Sequence, residues 1–217
     1  MELTLLREQD ATTLWAFENQ HRLYFENWIN PRADSFYTPE GFDQALQTAL
    51  RQQAADQAFH YLIWLGGELV GRINLTQVRR DHFHSASLGY RIAPSHSGQG
   101  LASEAVKLVM QKAFQVHHLQ RLEATARPEN PASIRVLLKN GFSSLGTRAA
   151  ACNCTASGLT CCTLRRMRRG FKDPVRCCSS PVQSRSHSPA KRYDEGGACS
   201  RRQYKRTNAW MHGCAAP

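Results

Sequence analysis

The sequence lacks the features that mark membrane and secreted proteins. It has no apolar run of the roughly 18 residues that a membrane-spanning helix needs. Its first residues, MELTLLREQD, carry charges where a signal peptide needs an apolar core. We therefore expect a cytoplasmic protein, in which cysteines are reduced thiols rather than parts of a disulfide framework.

Cysteine and acidic residues are both unevenly distributed along the chain. All eight cysteines lie between Cys152 and Cys214. Residues 1–150 carry 15 Lys+Arg against 14 Asp+Glu, whereas residues 151–217 carry 13 against 3. This asymmetry predicts an α/β domain with its own core over residues 1–145, followed by a basic, cysteine-rich and disordered tail over residues 146–217.

Hydrophobic periodicity predicts regularly alternating elements before residue 145. The predicted strands span residues 2–7, 59–65, 68–77, 85–92 and 122–126. The predicted helices span residues 12–25, 39–57, 103–116 and 130–140. The residues after 145 show no comparable pattern, so the predicted order ends at β-α-α-β-β-β-α-β-α.

A glycine-rich turn joins the predicted strand 85–92 to the helix that follows it. Gly98 and Gly100 precede Ala102 and Ser103 at the start of that helix. Glycine tolerates positive φ angles, and the first turn of a helix offers unpaired N–H groups and the positive end of the helix dipole. The pattern favours a phosphate-binding site, although many tight turns without a ligand use the same residues.

A second pattern, Asn-x-x-Ser…Lys-x-Gly-Phe, is formed downstream by Asn130, Ser133, Lys139, Gly141 and Phe142. Together the two patterns resemble the acetyl-CoA-binding core of the GNAT superfamily of N-acetyltransferases. The resemblance covers about residues 1–145.

The loop departs from the superfamily in one place. The superfamily usually has Gln/Arg-x-x-Gly-x-Gly/Ala at this loop, and Gly100 and Ala102 match its last two positions. Ser97 replaces the long polar residue at the first position. We expect this change to weaken one contact with the pyrophosphate without removing the backbone cradle.

The resemblance implies the α/β GNAT fold, a mixed central sheet flanked by helices, which we expect here to lack its last two strands. It also implies acetyl-CoA as the cosubstrate and no metal. A backbone N–H near 88–90 is expected to polarise the thioester carbonyl, where the strand splays from its neighbour. The residues implied to contact acetyl-CoA are Leu88, Gly89, Tyr90, Ile92, Ser97, Gly98, Gln99, Gly100, Leu101, Ala102, Ser103, Asn130 and Ser133.

Acetyl transfer also requires an acid for the leaving thiolate and a base for the amine. By the resemblance, Ser133 is the first candidate for the acid, with a plain contact at the start of a helix as the alternative. Asn130 either bonds CoA or a water, or caps the helix that continues with Pro131.

Glu123 is the candidate base, because alternation on a strand places it opposite Leu122 and Ala124. The alternatives for the base are Tyr90 and a water. Glu123 is otherwise a surface residue paired with Arg121 or Arg127.

An aromatic segment near the N-terminus bears on the acceptor. The residues Trp15, Phe17, Phe25 and Trp28 form a segment similar to that of enzymes that acetylate the N-terminal Ala or Ser of ribosomal proteins. This similarity implies a protein N-terminus as the acceptor, with a small-molecule amine as the alternative. Aromatic residues of amphipathic helices more commonly belong to a core.

The residues after about 145 suggest a change of reading frame. Back-translation of residues 151–164, read from the third base of each codon, permits Leu-Gln-Leu-His-Gly-Val-Trp-x-Asp-Val-Leu-His/Tyr-Ser. That sequence is similar to the last strands of ribosomal-protein-type enzymes. We therefore hypothesise that the chain leaves its ancestral frame between Phe142 and Ala151, which a stop codon in the shifted frame of the coding DNA would contradict.

Three other functions remain open. The tail could hold a metal or bind RNA nonspecifically, although it has no Cys-x-x-Cys pair of the kind found in zinc sites. The chain could also bind acyl-CoA without catalysing transfer.

Overall fold

The computed structural model describes residues 1–148 and 161–170. Within them, a mixed seven-stranded sheet has the order β1-β2-β3-β4-β5-β7-β6. The β4–β5 pair is parallel, and the other neighbouring pairs are antiparallel. The strands are β1 Glu2–Leu5, β2 Phe59–Leu65, β3 Glu68–Arg79, β4 Ser85–Ile92, β5 Arg121–Ala126, β6 Ser143–Arg148 and β7 Cys161–Met167.

Helices cover both faces of the sheet. They are α1 Ala11–Gln20, α2 Arg22–Glu26, α3 Pro39–Ala54, α4 Leu101–Gln111 and α5 Pro131–Lys139. The start of α3 follows its sequence signals, since Pro39 is its first residue and Thr38 Oγ1 accepts a hydrogen bond from Gly41 N at 3.1 Å. The predicted helix 12–25 is divided at His21, whose φ of −107° and ψ of 11° leave the helical region.

The core has two parts, one on each face of the sheet. Alternate strand residues such as Leu88 and Leu122 pack against α4 and α5 on one face. Residues of α1 and α3, such as Phe17 and Leu46, pack with Leu62 on the other face. No helix among the described residues is long and apolar enough to cross a membrane.

The prediction that the last two strands are missing is wrong. β7 pairs with β5 from Met167 opposite Arg121 to Cys162 opposite Ala126, and β6 pairs with β7. The physical reason is a short alternation of apolar and polar side chains within β7. Leu164 is 1% exposed in the core, while the neighbouring Arg165 points to the other face of the sheet. Pairing also removes a free edge that β5 would otherwise present.

The division of the chain at residue 145 stays a prediction. That position falls within β6, and β7 lies beyond it. The rest of the segment 146–217, including the predicted disorder and most of its cysteines, lies outside the described residues.

Candidate active site

A cleft opens in the sheet where the two parallel strands part. β4 and β5 pair only from Ser85 opposite Arg121 to Leu88 opposite Ala124. Beyond this point β4 stays with β3 as far as Ile92, while β5 stays with β7. The edge of β4 after Leu88 therefore faces a gap, and its peptide groups are available to a ligand.

The predicted contacts on β4 lie along this gap. Leu88 and Ile92 have side chains in the core, so only their peptide groups can reach a ligand. Gly89 is exposed, and a β-carbon there would meet no described heavy atom within 4 Å. The open edge thus has room for an extended ligand.

The glycine loop leads from β4 to α4 as the sequence predicts. Gly98 has a φ of 77° and Gly100 a φ of 83°, and Gly100 caps α4. The first intrahelical bond runs from Glu104 N to Gly100 O at 3.1 Å. The N–H groups of Leu101, Ala102 and Ser103 come before that bond in the chain, so no carbonyl group within the helix accepts from them. They can therefore bind an anion at the positive end of the helix.

Side chains of the loop are occupied by local contacts. The Ser97 hydroxyl lies 3.2 Å from the Tyr24 hydroxyl on α2 and donates to Ala93 O at 3.3 Å. Gln99 is exposed and its amide donates to Ser95 O at 3.1 Å. Ser97 therefore ties the loop to α2, and the loop's remaining capacity for an anion comes from its peptide groups.

Tyr90 and Ser133, predicted independently, lie in contact. The Tyr90 hydroxyl is 2.9 Å from Ser133 Oγ and donates to Ser133 O at 3.3 Å. Burial raises the pKa of Tyr90, and the hydrogen bond to Ser133 offsets part of that rise. The phenol is therefore protonated at neutral pH and can donate a proton.

Asn130 caps α5. Its Oδ1 accepts a hydrogen bond from Ser133 N at 2.9 Å, which is one of the two roles left open by the sequence. The other end of α5 is tied to α4, because Asn140 Nδ2 donates to Ser103 Oγ at 3.1 Å. The first bond holds the backbone at Ser133, and the second holds the C-terminal end of α5 beside the start of α4.

Glu123 lies on the sheet face opposite Tyr90. Its carboxylate is 3.4 Å from both Arg121 Nε and Arg165 Nη2, and its side chain is 37% exposed. The expected partner Arg127 instead donates to Asn27 O at 3.1 Å. Glu123 thus forms ion pairs with arginines, as expected if it is a surface residue of the strand. Its role as the base stays a prediction.

A buried charge cluster beside the cleft was not predicted. Arg72 on β3 lies directly opposite Arg91 on β4, and each donates to the Glu18 carboxylate of α1 at 2.7 Å. Burial opposes ionisation of Glu18, but Arg72, Arg91 and Arg32 outweigh it and lower its pKa. Burial lowers the pKa of Arg91 to about 10, so it stays charged at neutral pH.

One sequence signal for this cluster exists. Glu18 follows Leu14 by one helical turn, on the face that α1 buries. A charged residue on a buried face needs a partner of opposite charge. The partners cannot be named without the strand register, which pairs Arg72 with Arg91.

The N-terminal aromatic residues divide between core and surface. Phe17 and Phe25 are each 4% exposed and belong to the core. Trp15 is partly buried against the same core cluster, whereas Trp28 is 39% exposed. Trp28 follows α2 close to Asn27 and Asn30, the residues that Arg127 of the cleft region contacts.

A family model described as an acetyltransferase (GNAT) domain matches residues 1–143. The probable N-acetyltransferase YjcK of Bacillus subtilis is 34% identical over 143 residues, which cover 65% of this chain and 79% of that protein. The ribosomal protein uS5-alanine N-acetyltransferase of Escherichia coli is 27% identical over 144 residues, which cover 65% and 74%.

A solved structure shares the fold. Mycobacterium smegmatis RimJ in complex with CoA-disulfide superposes with a TM-score of 0.70 at 23% identity, covering 76% of this chain and 80% of that one. No group of three or more metal-ligating side chains occurs in the described part of this chain.

Proposed function

This chain belongs to the GNAT acetyltransferase family, and from that premise we propose that it transfers the acetyl group of acetyl-CoA to a primary amine. The observation that carries the proposal is the gap between β4 and β5, which opens beside the glycine cap of α4. We further propose that the amine is the N-terminus of a ribosomal or other protein.

The described residues fit acetyl-CoA. The N–H groups of Leu101, Ala102 and Ser103 would hold the pyrophosphate, since they lie at the start of α4 with no earlier helical turn to bond them. The open edge of β4 beyond Leu88 would hold the extended arm of the molecule. The solved complex of RimJ with CoA-disulfide supports this assignment at the level of the fold.

The residues around the gap would carry the transfer. The amine nitrogen attacks the thioester carbonyl carbon, the new C–N bond forms, and the C–S bond breaks to release the CoA thiolate. A peptide N–H of residues 88–90 would stabilise the carbonyl oxygen during attack. Tyr90, with Ser133 as its hydrogen-bond partner, would give its proton to the thiolate, and Glu123 or a water would take one from the amine.

The charge around the cleft supports a protein N-terminus over a polyamine. Arg165 lies opposite Glu123 on β7, and Arg127 follows the end of β5, where the gap opens. Arginines at this end of the strand pair would disfavour a substrate with several positive charges and would suit a peptide whose following residues are acidic. The similarity to the uS5-alanine enzyme points the same way.

The test is acetyl transfer by the purified full chain. Peptides beginning with Ala or Ser, each with acidic or neutral residues next, would be incubated with acetyl-CoA and read by CoA release and mass spectrometry. Spermidine and the same peptides with a blocked N-terminus serve as competing and negative acceptors. The proposal expects acetylation at the free N-terminus and faster reaction of the acidic peptides.

Other outcomes separate the alternatives. Preferred acetylation of spermidine would replace the protein acceptor with a small-molecule amine. Saturable binding of acetyl-CoA without transfer to any acceptor would identify a non-catalytic binder.

A further inference from the structure

Arginines collect at one end of the sheet, away from the glycine loop. Arg79 at the end of β3 and Arg121 at the start of β5 both lie opposite Ser85, the first residue of β4. The row continues on β7, where Met167 pairs with Arg121 and is followed by Arg168. Neighbouring strands lie about 4.8 Å apart, so the row from β3 to β7 spans about 15 Å.

Backbone hydrogen bonds join three segments at this end of the sheet. We call these segments the basic end, and they comprise residues 79–84, 117–121 and 168–169. His84 O accepts from Gln120 N at 2.6 Å and from Arg121 N at 3.2 Å. Gln120 O accepts from Arg168 N at 2.8 Å. The basic end is therefore one continuous surface made from three distant parts of the sequence.

The basic end carries an excess of positive charge. It has five arginines against one acidic residue, Asp81, whereas residues 1–150 as a whole carry 15 Lys+Arg against 14 Asp+Glu. Arg80 pairs with Asp56, and Arg121 lies 3.4 Å from Glu123. The exposed arginines that form no ion pair within the described part of the chain are Arg79, Arg168 and Arg169. Such a local excess of charge attracts a polyanion.

Ring side chains lie among these arginines. Phe83 is 52% exposed, and the guanidinium carbon of Arg121 is 5.8 Å from the centre of its ring. The exposed imidazoles are His82, His84 and His118. Exposed rings beside positive charges suit nucleic acid, because bases stack on the rings while the cations bind phosphates. An acidic peptide would be attracted by charge, but it does not present a flat ring in every unit.

We propose that the basic end binds single-stranded RNA without regard to its sequence, at a site separate from the acetyl-CoA cleft. The three exposed arginines would contact phosphates, and Phe83 would stack with an unpaired base of the kind that RNA loops offer. The two sites lie at opposite ends of β4, which runs from Ser85 at the basic end to Ile92 on the side of the glycine loop. RNA bound here would leave the cleft open.

Fluorescence anisotropy tests the proposal, with a labelled single-stranded RNA of about 16 nucleotides titrated with the full chain at several salt concentrations. Replacing the three exposed arginines together (Arg79→Gln, Arg168→Gln and Arg169→Gln) should lower the slope of log affinity against log salt by about 2. The reason is that each phosphate contact with a single strand contributes about 0.7 to this slope.

Two matched triple variants remove the same charge elsewhere. Lys107→Gln, Arg135→Gln and Lys139→Gln change exposed positions of α4 and α5 and should leave the slope unchanged. Arg201→Gln, Arg202→Gln and Lys205→Gln change the basic segment after residue 170. This third variant should keep the slope close to that of the parent.

Phe83 tests the stacking part of the site. Phe83→Ala should weaken RNA binding about tenfold without changing the salt slope, whereas Phe83→Tyr keeps the ring and should bind like the parent. Leu138→Ala, at another exposed apolar side chain, should have no effect. Heparin has the charge of a polyanion but no bases, so its binding should not respond to Phe83→Ala.

Four results would overturn the proposal. They are the absence of saturable RNA binding by the folded chain, an unchanged slope in the variant of the basic end, an equal response of RNA and heparin to Phe83→Ala, and tighter binding of duplex DNA than of RNA. Acetyl-CoA is titrated into the same samples, and every variant of the basic end should bind it like the parent. RNA binding without acetyl-CoA binding would support this site and count against the proposed function.

Discussion

Glu18 bridges two arginines that lie opposite each other on neighbouring strands. Like charges in such a cross-strand pair repel each other. Arg72 and Arg91 are held together because the ionised carboxylate of Glu18 accepts a hydrogen bond from each of them at 2.7 Å. The carboxylate is 1% exposed, so its loss would leave buried positive charge without compensation.

Replacing Glu18 by Gln should therefore lower the free energy of unfolding by about 3–5 kcal/mol, the usual cost of breaking a buried ion pair. Urea unfolding at pH 7 measures this. Glu129→Gln, the same change at an exposed position, should alter the free energy of unfolding by less than about 0.5 kcal/mol. Equal effects of the two substitutions would contradict the role of Glu18.

The same carboxylate predicts a dependence of stability on pH. The pKa of Glu18 in the folded protein lies below its ordinary value of 4.5, so the folded state favours the charged form. Its contribution is fully present above pH 4.5 and is lost as the pH falls through the lower folded pKa. The free energies of unfolding of the parent and of Glu18→Gln, measured with urea at a series of pH values, should converge in that acidic range. A constant difference between the two across the whole pH range would contradict the role assigned to Glu18.

Tyr90 is the residue whose hydroxyl is best placed to donate at the cleft. Tyr90→Phe removes that hydroxyl and should lower kcat about 10²-fold, while the Kd for acetyl-CoA stays unchanged. Tyr61→Phe removes another hydrogen-bonded phenol, 2.6 Å from His117 Nε2 and outside the cleft, and should leave kcat unchanged. If kcat were the same in Tyr90→Phe and the parent, a water or Ser133 would have to protonate the thiolate.

At the scale of elements, short-range signals predict the two helix caps beside the cleft. The glycine cap of α4 and the asparagine cap of α5 follow from local patterns, because each involves a turn or the first residues of a helix. Contacts that depend on strand register are different. The Arg72–Arg91 pair joins separate segments, and no local pattern indicates it.

The start of α5 positions Ser133, so its cap can be tested by stability. Asn130→Ala removes the acceptor for Ser133 N and should cost about 1 kcal/mol in the free energy of unfolding. Asn130→Asp keeps an oxygen at the same place and should cost much less. An equal loss in both variants would mean that the amide of Asn130 is needed for something other than capping.

For the whole molecule, the main surprise is that the sheet continues past residue 145. The segment after that residue shows no hydrophobic pattern comparable with the earlier elements, so no strand is expected there, yet β7 supplies Leu164 to the core and pairs along the whole of β5. A run of only a few alternating residues in β7 is enough to pair with the edge of β5. Such a run is too short to stand out in the sequence beside many basic residues and cysteines.

A substitution at Leu164 tests how much β7 contributes to the stability of the fold. Leu164→Ala should lower the free energy of unfolding by about 2–5 kcal/mol, since the side chain is 1% exposed. Leu145→Ala on β6 makes the same change at a side chain that is 49% exposed and should cost much less. Similar small effects at both positions would show that β7 does not complete the core.

The measurement that tests the central claim most directly is a titration of the purified full chain with acetyl-CoA, followed by calorimetry and by the melting temperature. The account predicts saturable binding by the folded chain and a rise in melting temperature with acetyl-CoA concentration, because only the folded state holds the glycine loop beside the open edge of β4. A folded chain that melts cooperatively but shows no binding and no shift would contradict it.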